Sequence, residues 1–276
     1  MDLNVYSRWF DDIPIYDGYV NTYLYDGQVS SFIDSQVDGT ISQRRVLSLA
    51  TDLVIPPRRI ISYLGELWLV GDGVRDGIQG QAVRTSYAMR KITDTLVLRT
   101  PGQAALGLGG VTAYAQKEYL KSTVNSPTEA QYDTFWNIYT STTETVTKGG
   151  YLVGGTATYR VRNTYDLLNG YRVSEADQLD AATVPVLFQA STFDPISESY
   201  SGATVATTGL LLEAYKLYEY RTQADPLVQA GDHILVVASS AASPEVGRQV
   251  EVAGTMYQIF SVTAEADSWK CLVRLA

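Results

Sequence analysis

The chain has 276 residues and a net charge of −9 with a single histidine, and its 45% hydrophobic and 11% aromatic content is ample for one large or two modest cores. That acidic balance excludes a general nucleic-acid binder, which needs a basic surface to neutralise phosphates, although an acidic channel would let DNA slide past without sticking. The lone cysteine, Cys271, excludes an internal disulfide framework or a multi-cysteine metal site and reads as a small apolar core residue.

The first eighteen residues lack the basic region and apolar run of a secretory signal, and no segment approaches the ~18 consecutive apolar residues of a membrane helix. The expectation is a protein made in a cytoplasm, with no membrane partner. Twenty tyrosines against six phenylalanines suit half-buried strand faces and interfaces, because tyrosine joins a large apolar body to a polar rim. Residues 1–40 have little sustained period and read as an extended N-terminal arm lying across another surface. The alternative is a first hairpin, Tyr16 to Tyr25 and Val29 to Ile33.

Residues 41–220 read as a β-rich body. Two arginine pairs, Arg44-Arg45 and Arg58-Arg59, stand out in an acidic chain as candidates for DNA phosphate or an acidic partner, against a plain reading as solvated charges. After Pro56-Pro57, the stretch Leu64-Gly65-Glu66-Leu67-Trp68-Leu69-Val70 is a glycine turn feeding a strand. Its order of apolar strand, glycine turn and aromatic strand is echoed at Gly149 to Asn163 and again near the C-terminus. These echoes are too short to establish a repeat.

In the middle, Ser126-Pro127-Thr128-Glu129 has the form of a capping box with proline at the first helical position. Tyr132, Phe135, Trp136 and Tyr139 then follow at i, i+3, i+4 and i+7, so an amphipathic helix is expected near 127–140. Its aromatic face would bury against the chain's own sheets or a partner subunit, which makes Tyr132 and Trp136 candidate interface residues. Val111 to Lys121 is compatible with helix or strand.

Residues 221–276 read as a small C-terminal β-barrel module of four strands: His233–Ala238, buried on both faces, Val246–Val252, Met256–Val262 and Trp269–Leu275. Ala253-Gly254 forms a tight turn, and Trp269 is the expected core anchor. Four strands in under fifty residues are marginal alone, so the module should lean on neighbours. The fold class is therefore mainly β, with small antiparallel barrel or sandwich modules, one amphipathic α-helix and an extended arm.

Chemistry-bearing motifs are weak. Asp72 to Gly77 starts like a calcium loop, but Val74 and Val83 stand where oxygen ligands are needed. Gly107-Leu108-Gly109-Gly110 has Thr112 where a dinucleotide fingerprint needs glycine, and no phosphate-loop lysine motif occurs. His233, beside Asp232, is the only histidine a triad could use and sits at a strand start. No catalytic, cofactor or metal residue is assigned, and the reading is of a non-enzyme, although a distant carboxylate pair of a wall hydrolase would leave no local trace.

The order Ala230-Gly231-Asp232, Val252-Ala253-Gly254, Met256-Tyr257-Gln258-Ile259 and Trp269 to Leu275 resembles the small β-barrels of tailed-bacteriophage neck proteins, the head-closure and head-tail joining family. The resemblance covers about fifty residues. It implies a structural virion protein that forms an oligomeric ring around the DNA channel, joins portal to tail, and needs no cofactor. The other reading is a carbohydrate-binding fibre or baseplate module with Trp9, Trp68 or Trp136 as stacking platforms.

Overall fold

The computed structural model describes residues 13–31, 44–50, 53, 55–56, 59–78, 81–125, 130–179, 182–189, 192–194, 199–201, 204–214, 217, 228–229 and 231–276. Strands β1 (Ile13–Asp17), β2 (Tyr23–Ser31), β3 (Arg44–Ala50), β4 (Ile60–Tyr63), β5 (Glu66–Ile78) and β6 (Gln81–Lys91) close into a first barrel of order β1-β2-β3-β6-β5-β4. Strands β7 (Asp94–Arg99), β8 (Val111–Asn125), β9 (Ala130–Ser141), β10 (Tyr151–Val153), β11 (Thr158–Asp166) and β12 (Tyr171–Leu179) form a second, β7-β8-β9-β12-β11-β10.

The third barrel takes β13 (Thr183–Phe188) and then, past a small side hairpin of β14 (Thr192–Asp194) and β15 (Ser199–Ser201), β16 (Val205–Glu213). It is completed by β17 (His233–Ala238), β18 (Gln249–Val252), β19 (Thr255–Ala264) and β20 (Ser268–Leu275) in the order β13-β16-β17-β20-β19-β18. Counted along the chain, every barrel has its strands in the ring order first, second, third, sixth, fifth, fourth, with the fourth paired back to the first. By contact density the chain forms two compact units, Met1–Thr95 with Ala113–Thr145 and Thr164–Ser174, and Leu96–Thr112 with Val146–Asn163 and Glu175–Ala276.

The faint sequence echoes fall on one element in all three barrels, the hairpin of the fourth and fifth strands. Its fifth strand sends an aromatic and a β-branched residue inward at spacing two: Trp68 and Val70, Tyr159 and Val161, Tyr257 and Ile259, all buried. In the first barrel these meet Ile15, Leu47, Leu49, Ile61 and Met89; in the third, Phe188, Leu235, Val237, Val250, Val252, Cys271 and Val273. Each such side chain contributes about 1.5–3 kcal/mol when fully buried. Burial also pushes the Cys271 thiol up to about 12, so it stays protonated as an apolar filler.

β17 is buried on both faces, as its apolar run predicts. Leu235 and Val237 point into the barrel, while Ile234 and Val236 join Leu210, Leu212 and Leu272 on the outside. That outer face is covered by α1 (Pro101–Leu106), the one helix among the described residues, through Ala104 and Ala105. Thr100 caps α1 by accepting from Gln103 N while the Gln103 side chain accepts from Thr100 N, Pro101 begins the helix, and Gly107 ends it at φ 70°.

Several expectations are corrected. The helix expected near 127–140 is strand β9 over its described part, and Ser126 to Glu129 lie outside the described residues. Tyr119 pairs with Trp136 and Leu120 with Phe135 in the β8–β9 ladder, so the adjacent aromatics Phe135 and Trp136 face opposite sides of the strand. A strand with aromatics on both faces imitates a helical stripe, and the long antiparallel partner β8 decides between them. Residues 13–31 are no arm but the first two strands of a barrel, turning at 18–22 rather than at 26–28; residues 1–12 lie outside the described residues. The boundary expected at 221 falls inside the third barrel, whose β13 and β16 precede it. Trp269 packs partly buried against that core, and Val246 is exposed, ahead of the first residue of β18.

Two hairpins use a two-residue loop with both residues at positive φ, Leu64-Gly65 (49° and 76°) and Ala253-Gly254 (49° and 84°). Twisted hairpins favour this geometry, and asparagine fits its first position better than leucine. Leu64 is 72% exposed, so little burial is lost when it is replaced. Leu64→Asn should therefore raise the urea midpoint, by about 0.5–1 kcal/mol in unfolding free energy.

Candidate assembly surface

In the first compact unit, the turn that connects β11 to β12 seats on β5. Asp72 N donates to Asn169 O at 2.6 Å, and a Cβ at Gly71 would collide with that same carbonyl oxygen. Tyr171 Oη donates to Ala88 O at 2.5 Å with Leu69 O nearby, and its ring joins Ile60, Leu69, Tyr139 and Val173 in a buried cluster. Beside it lies Arg90, 5% exposed, with its guanidinium 3.6 Å from the Tyr139 ring centroid. Arg90 Nη1 donates to Gln116 Oε1 at 2.8 Å and Glu118 Oε1 at 2.7 Å. A buried guanidinium is tolerated here because Glu118 meets its charge and the Tyr139 and Tyr171 rings meet its flat faces. Desolvation there raises the Tyr139 hydroxyl pKa, an effect the adjacent Arg90 cation opposes.

In the second unit, the turn between β19 and β20 meets elements of the middle barrel. Gly102 N donates to Asp267 Oδ1 at 3.1 Å, Thr100 Oγ1 donates to the same carboxylate, and Arg160 of β11 lies 3.9 Å from Glu265. Asp267 thus adds its charge to the start of α1, and only glycine at 102 leaves room for it: a Cβ there would lie 2.5 Å from Asp267 O. Arg162 and Asp177 form a second buried ion pair at 2.5 Å.

The Gly231-Asp232 turn acquires a clear role. Asp232 is 2% exposed and accepts from Gln229 N at 2.8 Å and from both Nε (2.7 Å) and Nη2 (2.9 Å) of Arg274 on the last strand. The Arg274 hydrogen bonds hold its carboxyl below the ordinary range, against the opposing effect of desolvation. His233 stacks edge-on against Tyr257 and pairs in register with Glu213, a place in the barrel wall.

The candidate interface residues that the structure describes lie on different elements. Arg45 sits over the Trp68 ring at 5.6 Å, half-buried, and Arg59, at φ 57°, pairs with Asp72 beside the β11–β12 turn. Arg44 is the first residue of β3, next to Arg45, and Arg58 lies outside the described residues. Trp136 stacks on Tyr119 at 5.3 Å with Lys117 over its ring, and Tyr119 is half-exposed; Tyr132 pairs with Thr123 further along the same ladder. Trp68 is buried and cannot serve as a sugar platform, and Trp9 lies outside the described residues. Asp72 to Gly77 belong to strand β5, and Gly107 to Gly110 form the turn between α1 and β8. Among the described residues no group of three or more His, Cys, Asp or Glu is placed to hold a metal, and no helix is long and apolar enough to cross a membrane.

Sequence reasoning missed Arg90, Gly71, Gly102 and Asn169, whose roles depend on distant partners. The Thr100-Pro101-Gly102-Gln103 cap was legible by the same rule that was applied to Ser126. In comparisons with known proteins, no family model, no curated protein and no solved structure matches the chain.

Arg90→Met should cost about 3 kcal/mol in urea unfolding, because Glu118 keeps its charge without that cation, and adding Glu118→Met should recover much of the loss. Asp232 has a depressed pKa, so its stabilisation is present above the unfolded value of about 3.9 and lost as pH falls through the lower folded value. Asp232→Asn should therefore cost about 2 kcal/mol at pH 7, with the gap to the parent closing only in strong acid.

Proposed function

We propose that this chain is a structural protein of the tailed-bacteriophage neck, which assembles as an oligomeric ring around the DNA channel and joins portal to tail in the virion. The observation that supports the reading is the third barrel, a closed six-stranded ring in which the Gly231-Asp232 turn is held by Arg274 and Ala253-Gly254 forms a tight hairpin, the two turns on which the resemblance to neck barrels rests. The described residues build three six-stranded barrels of one strand order, with Arg90–Glu118, Arg162–Asp177 and Arg274–Asp232 ion pairs inside or beside them. The net charge of −9 suits a wall past which DNA moves without adhering. The role is structural, with no cofactor and no membrane, and DNA is a passing cargo rather than a sequence-specific ligand.

Native mass spectrometry with electron microscopy of the purified protein tests this reading. The expected result is a closed ring that binds portal or tail components. A strict monomer that binds neither would overturn it.

A further inference from the structure

In the first barrel the ladder between β2 and β3 stops short. It runs from Ser31–Arg45 to Gln28–Ser48. Beyond that pair β2 continues against β1, with Gly27 opposite Ile13 and Asp26 opposite Pro14, while β3 continues against β6 as far as Ala50–Arg84. A cleft of about 260 Å³ opens where the two strands part, and its lining includes Asp26, Gln28, Ser48 and Arg84, with Leu49 and Leu53 as the apolar part. The turn after β3, closed by Leu53 N donating to Ala50 O at 3.1 Å, supplies Leu53.

The polar groups belong to the outer face of the barrel wall. Leu47 and Leu49 point inward, so Ser48 and Ala50 point out, and their ladder partners Gln28 and Arg84 point the same way. Tyr25 points in, which turns Asp26 outward as well. Arg84 is partly buried in this cleft, and its guanidinium forms no hydrogen bond, ion pair or ring contact among the described residues. Every other buried or partly buried arginine whose side chain is described has a carboxylate, a carbonyl or a ring beside it. A guanidinium drawn partly out of water with no counter-group is unfavourable, so a partner arriving from outside gains more there than at an exposed arginine.

We propose that this cleft binds a small oxyanion, a carboxylate or phosphate group, on Arg84, with Ser48 and Gln28 hydrogen-bonding the molecule that carries it. The planar fork of arginine donors matches either anion in two-point contact. At ~30 Å³ per water, the cleft has the volume of about nine waters, which suits a molecule of a few carbons. Asp26 lines the β2 side of the cleft and Arg84 the β6 side, so the carboxylate disfavours a second negative charge and favours a hydroxyl or ammonium on the same ligand. With a net charge of −9 the chain repels anions in general, and capture of one has to come from the site itself. The site is independent of the ring reading and serves a monomer as well as an assembly.

Isothermal titration calorimetry of the full chain at low salt, with inorganic phosphate, phosphoethanolamine and lactate as probes, tests it. At least one probe should bind with a dissociation constant below about 10 mM and raise the urea midpoint. Lactate alone assigns a carboxylate, and the two phosphates alone assign a phosphate. Arg84→Gln should weaken that binding at least about tenfold and Asp26→Asn should strengthen it. Lys148→Gln, which removes the same charge from an exposed position, should leave it unchanged. Without ligand, Arg84→Gln should keep the parent's urea midpoint, because no contact within the fold is lost. No binding of any probe up to about 10 mM, equal losses in Arg84→Gln and Lys148→Gln, or a ligand-free midpoint that falls in Arg84→Gln overturns the site.

Discussion

The buried guanidinium of Arg90 is the interaction on which the first half of the molecule depends. It extends from the sixth strand of the first barrel to Gln116 and Glu118 on β8 and to the Tyr139 ring on β9, so one side chain ties three strands of two barrels. A charge that deep is unfavourable unless every donor is satisfied, and this demand selects a single arrangement of the strands around it. Tyr171 adds a second tie through its hydroxyl to Ala88 O. Small barrels bury too little surface to be robust alone, and the joint supplies the missing burial.

Glycines mark where the joints are tightest. Gly71 and Gly170 lie where the β11–β12 turn meets β5, and Gly102 lies under Asp267, each so close to a neighbour that a side chain would have to displace it. The charged groups follow the same logic. Asp267 sits at the start of α1, and Asp232 locks the last strand to the turn that opens β17. Arg90, Asp232 and Asp267 thus act as fasteners between elements.

Much of the strand content was legible because it is local. The sequence placed β19 and β20 close to their observed bounds and β18 at its correct end although starting three residues early, the continuous run at His233–Ala238 announced a strand buried on both faces, and Ala253-Gly254 marked the β18–β19 hairpin. The echoes at Leu64, Gly149 and Val252 were signatures of a shared connectivity, too short in sequence to prove it. What misled was the spacing of Tyr132, Phe135, Trp136 and Tyr139, which satisfies a helix with one aromatic face and a strand with two.

The amino-acid sequence by itself determined the β character, the turns and the inward aromatic of each fifth strand, because these are set by side-chain period and by backbone preferences within a few residues. Only the tertiary structure decided that β13 and β16 complete the C-terminal barrel, that 130–141 is a strand, and that Arg90 is a buried joint. Those outcomes depend on which distant strand offers its hydrogen-bonding edge and which distant acceptors meet a charge, and pairing of that kind leaves no local trace along the chain.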